Sequence, residues 1–158
     1  MRNLTLRLWL GLVLAVCVLP SMASAQAPGL VGSWRLESWT TSNGQPRCSE
    51  EEGPASGQIV YSRDGHMSAQ LGCADLDVSS VSGVSAQDLA RRISRRHLSY
   101  YGRYTLDRRA GTVTHHVLGS SLVSFVGTDQ VRTFVFDGND QITLSPGGNQ
   151  LLVWLRNR

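Results

Sequence analysis

From residue 31 onward, hydrophobic and polar positions mostly alternate with a period of two, which is typical of strands with one buried face. Turn-forming residues such as Arg63-Asp64-Gly65 and Asp137-Gly138-Asn139-Asp140 separate the alternating stretches. Eight short strands joined mostly by hairpins favour an all-β, antiparallel up-and-down barrel, which has no exposed sheet edge and an interior suited to one small ligand. The predicted strands are Val31–Thr40, Gly57–Ser62, His66–Leu71, Tyr100–Leu106, Thr112–Gly119, Gln130–Asp137, Gln141–Ser145 and Leu151–Arg156.

One segment departs from this alternation. Ser85 and Asp88 have the spacing of a capping box, and the apolar residues that follow lie one helical turn apart. We therefore predict an amphipathic helix over Ser85–Leu98, preceded by a serine-rich loop at Asp75–Gly83. Because loop and helix lie between the third and fourth strands, we expect them to form a lid over one mouth of the barrel.

The polar face of the predicted helix carries four arginines: Arg91, Arg92, Arg95 and Arg96. We interpret this face as solvated surface, because no aromatic residues lie between the arginines as they do in many nucleic-acid sites. The alternative is an envelope-associated interaction protein that uses these arginines at a membrane surface.

The N-terminus has the three parts of an export signal. Arg2 and Arg7 form a basic region before an apolar run of about a dozen residues, and Ala23-Ser24-Ala25 is a small-residue cleavage site. The run is shorter than the roughly 20 residues that cross a bilayer. We expect residues 1–25 to be a signal peptide cleaved after Ala25, and residues 26–158 to be one barrel domain in the periplasm or outside the cell.

Charge and motifs narrow the function classes. The chain has 15 basic residues, all arginine, and 12 acidic residues, but two of the arginines fall in the predicted signal peptide. The remaining near-neutral balance argues against a nucleic-acid-binding surface. The sequence contains no GxSxG, P-loop, GxGxxG, HExxH or EF-hand motif, so we expect no cofactor and no bound metal.

Export would leave Cys48 and Cys73 in an oxidising compartment, where an even number of cysteines favours a disulfide. Closing that loop would stabilise the fold by about 3 kcal/mol. The alternatives are two free thiols or a metal site shared with His66. The metal site is the weakest of these, because structural zinc takes four protein ligands at close spacing.

Several motifs carry a family resemblance. Gly32-Ser33-Trp34 resembles the GxW signature that opens the first strand of lipocalins and other calycins. Tyr61–Leu71, Tyr100–Tyr104, Gly111–Val117 and the GTDQVR element at Gly127–Arg132 are similar to the bacterial and fungal lipocalin-like domain family. The resemblance covers nearly all of the chain after the predicted signal peptide, and it implies the barrel fold more strongly than any one function.

The resemblance implies structural roles for Gly32 and Trp34 at a closed end of the barrel, with Arg156 stacked across the indole ring of Trp34. Thr128 and Asp129 begin the sixth predicted strand, and in lipocalins a similar Thr-Asp pair lies beside the GxW end. We therefore expect Asp129 to satisfy backbone donors rather than to take part in chemistry.

His115 and His116 are the first candidates for chemistry, and as neighbours on one strand they point to opposite faces. His115 shares its face with Val113 and Val117, which favours the interior, but His116 stays open because a lumen also takes polar residues. An interior neutral imidazole can bind a carbonyl or hydroxyl, or relay a proton. A hydrogen-bonded core histidine is an equal alternative.

The same counting of strand faces brings further polar side chains within reach of the interior, where they could anchor a ligand: Tyr61, Gln70, Tyr101, Arg103, Tyr104 and Arg132. Tyr61 and Tyr104 suit a pocket best, since each has a ring and a hydroxyl. An inward arginine would favour a carboxylate or phosphate.

The sequence therefore predicts an exported protein that binds a small, partly apolar or amphipathic molecule in the barrel lumen. The alternative is a cofactor-independent isomerase, cyclase or hydratase that uses interior His and Tyr side chains for acid–base chemistry. The resemblance allows this, because related calycin-type barrels include hydratases and cyclases.

Overall fold

The computed structural model describes residues 29–74 and 83–158, which form a closed antiparallel barrel with its strands in chain order. The predicted up-and-down barrel is confirmed. Its eight strands are β1 (Gly32–Thr41), β2 (Ala55–Tyr61), β3 (His66–Cys73), β4 (His97–Asp107), β5 (Thr112–Ser120), β6 (Asp129–Asp137), β7 (Gln141–Ser145) and β8 (Gln150–Arg156).

The barrel has two different ends. At one end lie the start of β1, the end of β8 and the short hairpin turns after β2, β4 and β6. We call this the closed end, because Trp34 is fully buried there. The opposite, open end carries the four other connections, including 3-10 turns at Glu50–Glu52 and Val123–Phe125 and a helix, α1 (Ala86–Arg96).

The closed end is built around Trp34, as the GxW resemblance implies. The guanidinium carbon of Arg156 lies 4.0 Å from the centre of the Trp34 ring. Arg156 also donates hydrogen bonds to the carbonyl oxygens of Gly29 and Val31, at 2.7 and 3.0 Å. A Cβ atom on Gly32 would lie 2.6 Å from Arg156 Nη1, and the Gly32 φ of 139° suits glycine, so a side chain at this position would displace the arginine.

Cys48 and Cys73 form a disulfide, with Cα atoms 5.6 Å apart. The predicted pairing is confirmed, and the free-thiol and metal alternatives for these cysteines are wrong. The bond ties the β1–β2 connection to the end of β3 at the open end. Among the described residues, no three His, Cys, Asp or Glu side chains cluster closely enough to hold a metal ion.

Helix α1 begins after Ser85, whose hydroxyl accepts a hydrogen bond from the backbone N–H of Asp88 at 3.1 Å. It ends at Arg96, earlier than predicted, because Leu98 already pairs with Leu71 in the sheet. Ile93 is 42% exposed, and no described side chain of α1 lines the interior cavity. The lid therefore stays a prediction, since most of the loop that would complete it lies outside the described residues.

The arginine face of α1 is partly neutralised. Arg91 forms an ion pair with Asp88, at 2.6 Å, and Arg96 with Glu52, at 3.6 Å. No helix of the described ranges has the length and apolar character that a membrane span requires. Residues 1–25, predicted to be a signal peptide, and nearly all of the predicted serine-rich loop lie outside the described residues.

Candidate ligand site in the barrel interior

The open half of the barrel contains a cavity of about 300 Å³. This volume falls within the range of small-molecule sites, which typically have apolar walls and a few placed polar groups. Arg132 is the one formally charged residue among the described residues that line it. The lining residues are Trp39, Ile59, Leu71, Leu98, Tyr100, His115, Phe125, Gln130, Arg132, Leu144, Pro146, Gly147, Gln150, Leu152 and Trp154.

Period-two geometry brings polar side chains from two adjacent strands into this cavity. On β5, Val113, His115 and Val117 are all buried, as expected from the apolar neighbours of His115. On β6, Gln130 pairs with His115 and Arg132 pairs with Val113. Val113 is the next inward-facing residue of β5 towards the closed end, and it does not line the cavity. His115 therefore lies at the inner end of the cavity.

A polar cluster of Tyr61, Tyr100, His115 and Arg132 occupies this inner end. The hydroxyl of Tyr61 lies 2.8 Å from Nε2 of His115, and the hydroxyl of Tyr100 lies 3.0 Å from its Nδ1. Arg132 is 8% exposed, and its Nη1 donates a hydrogen bond to the carbonyl oxygen of Val131 at 2.9 Å. Four different strands therefore contribute one side chain each to this cluster.

The His115 ring is neutral. Burial lowers the pKa of His115 from 6.5 to about 3, and electrostatic interactions with Arg132 and His116 act in the same direction. A neutral imidazole has one N–H donor and one acceptor nitrogen. One of the two tyrosine hydroxyls must therefore donate to the ring, and the other must accept from it.

Tyr61 decides which nitrogen carries the proton. Its side chain is 1% exposed, and its hydroxyl has His115 Nε2 as its hydrogen-bond partner among the described residues. A buried O–H without an acceptor costs free energy, so Tyr61 donates to Nε2. Nδ1 then carries the proton and donates to the Tyr100 oxygen.

Both tyrosines keep their protons at neutral pH. Burial raises the pKa of Tyr61 well above its ordinary value of 10.0. Burial also raises the pKa of Tyr100, although the charge of Arg132 and a hydrogen bond from its side chain act in the opposite direction. The Tyr100 oxygen therefore accepts from His115, and its own O–H proton is left for a group in the cavity.

We expect ¹⁵N-resolved NMR of the imidazole to show the neutral Nδ1–H tautomer of His115 at pH 7. Tyr61→Phe removes the donor to Nε2, so the Nε2 resonance should shift. Tyr104→Phe is the matched control, because the Tyr104 hydroxyl instead donates to the carbonyl oxygen of Ser62 at 2.9 Å. An Nε2–H tautomer in the wild type would contradict the assignment.

Two other predicted ligand contacts lie on the outside of the barrel, which is a correction. Gln70 is exposed because its neighbours Ala69 and Leu71 occupy the inner face of β3. His116 faces outward for the same reason, opposite to His115. Tyr101 and Arg103 are also exposed on the outer face.

The two tyrosines preferred from the sequence do not line the cavity. Tyr61 lies behind His115, and Tyr104 packs edge-on against Tyr61 with ring centres 5.0 Å apart. Tyr100, which the sequence analysis did not propose as a ligand contact, lines the cavity instead. The alternation of Leu98, Tyr100 and Gly102 along β4 is the signal that would have placed it inward.

Asp129 is also placed differently from the expectation. Its Oδ1 lies 2.6 Å from Nδ1 of His116, and Nε2 of His116 lies 3.1 Å from the Thr105 hydroxyl. Asp129 therefore pairs with a side chain instead of capping backbone donors, and it begins β6 at the open end, away from Trp34. This Asp–His–Thr chain lies on the exposed outer face and contributes nothing to the cavity lining.

Comparison with known proteins agrees with this architecture. The profile of the lipocalin-like domain family matches residues 31–156. A lipocalin-like protein from Bacteroides uniformis has 10% identity and a TM-score of 0.50, covering 81% of this chain and 98% of that one. A structure described as an uncharacterized protein from Bacteroides eggerthii has 12% identity and a TM-score of 0.47, covering 82% and 100%.

Comparison with curated protein sequences gives no significant match. At 10% identity, the likeness to the Bacteroides uniformis structure extends to the fold alone. The profile match nevertheless spans well over half of the chain, and the closed eight-stranded barrel is the fold it implies. The chain therefore belongs to the lipocalin-like domain family.

Proposed function

We propose that this protein binds a small, partly apolar molecule reversibly in the cavity at the open end of the barrel. The observation that carries the proposal is the cavity itself, whose walls are mainly apolar and whose inner end holds one polar cluster. Burial of apolar ligand surface supplies the driving force, and the cluster fixes the ligand's orientation. Export is part of the proposal, supported by the N-terminal pattern and compatible with the disulfide.

The protonation states of the cluster support binding over acid–base catalysis. An efficient general base has a pKa near the working pH, whereas burial holds the pKa of His115 at about 3. A general acid must release its proton, whereas burial raises the pKa values of Tyr61 and Tyr100. The cluster is thus a set of fixed hydrogen-bond partners at neutral pH.

We expect N-phenyl-1-naphthylamine, an uncharged dye that fluoresces in apolar surroundings, to bind the protein in this cavity. Leu98→Trp places a larger side chain in the cavity wall and should weaken dye binding by about tenfold or more, equivalent to 1.4 kcal/mol. Val135→Trp adds the same side chain on the outer face, where Val135 is 68% exposed, and should leave binding unchanged.

The measurement is a fluorescence titration of the wild type and both variants at equal concentration. Equal weakening by the two tryptophans would show that the dye does not occupy the cavity. A wild type that does not bind the dye would also overturn the proposal.

A further inference from the structure

We propose that the ligand carries a single carboxylate, held by Arg132 and Tyr100 at the inner end of the cavity. The inference rests on the proposed function, since it assigns the chemistry of the group that the cavity binds. It makes the ligand an amphipathic carboxylic acid, whose apolar part lies against the walls nearer the open end.

The first step is the charge of Arg132. Arg132 is 8% exposed, and no carboxylate of the described residues lies within 4.0 Å of its guanidinium. Among the described residues, the one backbone carbonyl that accepts a hydrogen bond from Arg132 is that of Val131. This carbonyl carries no formal charge. A cation removed from water without a counter-ion is costly, so an anion brought into the cavity would relieve this cost.

The second step is the donor geometry around that charge. The Tyr100 oxygen accepts from the Nδ1–H of His115 at 3.0 Å, and its O–H proton is left for the cavity. Tyr100 and Arg132 both line the cavity, and the charge of Arg132 acts on the Tyr100 hydroxyl closely enough to oppose the rise in its pKa. A carboxylate has two acceptor oxygens, so it can take the tyrosine O–H and a guanidinium N–H together.

The third step separates a carboxylate from a phosphate. Arg132 is the one cation of the described lining, and the neutral ring of His115 adds no second charge. A phosphate monoester carries about −1.5 to −2 at pH 7, which would leave uncompensated negative charge in an apolar cavity. A carboxylate carries one negative charge, which Arg132 balances.

The experiment compares octanoate with 1-octanol, which have the same chain length but differ in charge, by titration calorimetry at pH 7.5. We expect octanoate to bind the wild type about tenfold or more tightly than 1-octanol, in line with the strength of charge-assisted hydrogen bonds. In Arg132→Gln this preference should fall to about one, while the affinity for 1-octanol stays within about threefold of the wild type. Arg103→Gln removes an exposed arginine from β4 and should keep the full preference.

The outcomes separate this inference from the proposed function. Equal binding of octanoate and 1-octanol by the wild type would overturn the carboxylate assignment and leave dye binding in the cavity intact. A preference for octanoate that survives Arg132→Gln would also overturn the assignment. If the wild type binds neither probe nor the dye, both proposals fail.

Two further variants cover the case in which Arg132→Gln does not fold. Tyr100→Phe removes only the hydroxyl and should reduce the preference for octanoate several-fold, and Arg132→Lys keeps the charge without the planar fork and should reduce it less than Gln does. If both variants keep the full wild-type preference, Arg132 and Tyr100 do not hold the carboxylate.

Discussion

Replacing Trp34 with alanine is expected to lower the free energy of unfolding by about 3–5 kcal/mol, the usual cost of removing a large buried aromatic side chain. Trp34 is 0% exposed, and its indole N–H donates to the carbonyl oxygen of Leu30 at 2.9 Å. Truncation opens a void at the closed end and leaves the Leu30 carbonyl without this donor. It also removes the aromatic face beneath Arg156.

Urea unfolding followed by circular dichroism measures this loss, and Trp39→Ala is the matched control. Trp39 is half-buried at the open end, and its indole N–H donates to the side-chain oxygen of Gln150 at 2.9 Å. Because Trp39 buries less apolar surface, its truncation should cost about 1–2 kcal/mol. If Trp34→Ala costs no more than Trp39→Ala, the closed end is not the stabilising centre that its packing indicates.

The fold could be predicted because it rests on a local, repeated signal. Antiparallel strands with one buried face show period-two alternation, and hairpin turns show Gly, Asp and Asn. The predicted range Gln141–Ser145 coincides with β7. The same alternation assigned His115 to the inner face, because Val113 and Val117 accompany it.

The candidate site was predicted less well, and β4 shows why. Leu98 lies two residues after the end of the arginine-rich helix, so its apolar side chain was assigned to the helix although it pairs with Leu71 in the sheet. Without Leu98, and with no side chain at Gly102, the alternation around Tyr100 had no apolar neighbours to identify its face. Tyr100 was therefore missed, whereas Tyr101, 59% exposed on the outer face, was considered.

Arg132 illustrates a second limit. The outward residues of β6 include Val131 and Val135, which are 51% and 68% exposed, so hydrophobicity does not distinguish the two faces of this strand. The hydrogen bond between Tyr61 and His115 joins residues 54 positions apart. Contacts of this kind depend on barrel closure and register, which no local pattern records.

Acidification below pH 6.5 is expected to destabilise the protein through His115. In the unfolded chain this histidine has its ordinary pKa of 6.5, whereas burial and the charge of Arg132 lower its folded-state pKa to about 3. Between these values the unfolded state binds more protons, so stability is fully present above 6.5 and is lost as the pH falls towards 3. The slope approaches about 1.4 kcal/mol per pH unit within this window.

The measurement is the free energy of unfolding in urea at several pH values between 6.5 and 4.5. Hydrogen bonds from Ser62 and His66 lower the pKa of Asp64 from 3.8 to about 2. The contribution of Asp64 to stability is therefore lost below this pH window. His115→Gln keeps hydrogen-bonding groups in the cluster without a titrating ring, so its stability should vary less with pH than that of the wild type. His97→Gln removes an exposed histidine and should keep the wild-type slope.

The same experiment bears on the ligand class. The free energy of unfolding of His115→Gln could vary with pH as steeply as that of the wild type. This result would mean that His115 takes up its proton in the folded state as it does in the unfolded one. The inner end of the cavity would then carry two positive charges near pH 5, one on His115 and one on Arg132, and would favour a dianion. A slope that depends on His115 instead leaves Arg132 as the single charge of the described lining, which is the electrostatic condition for a carboxylate.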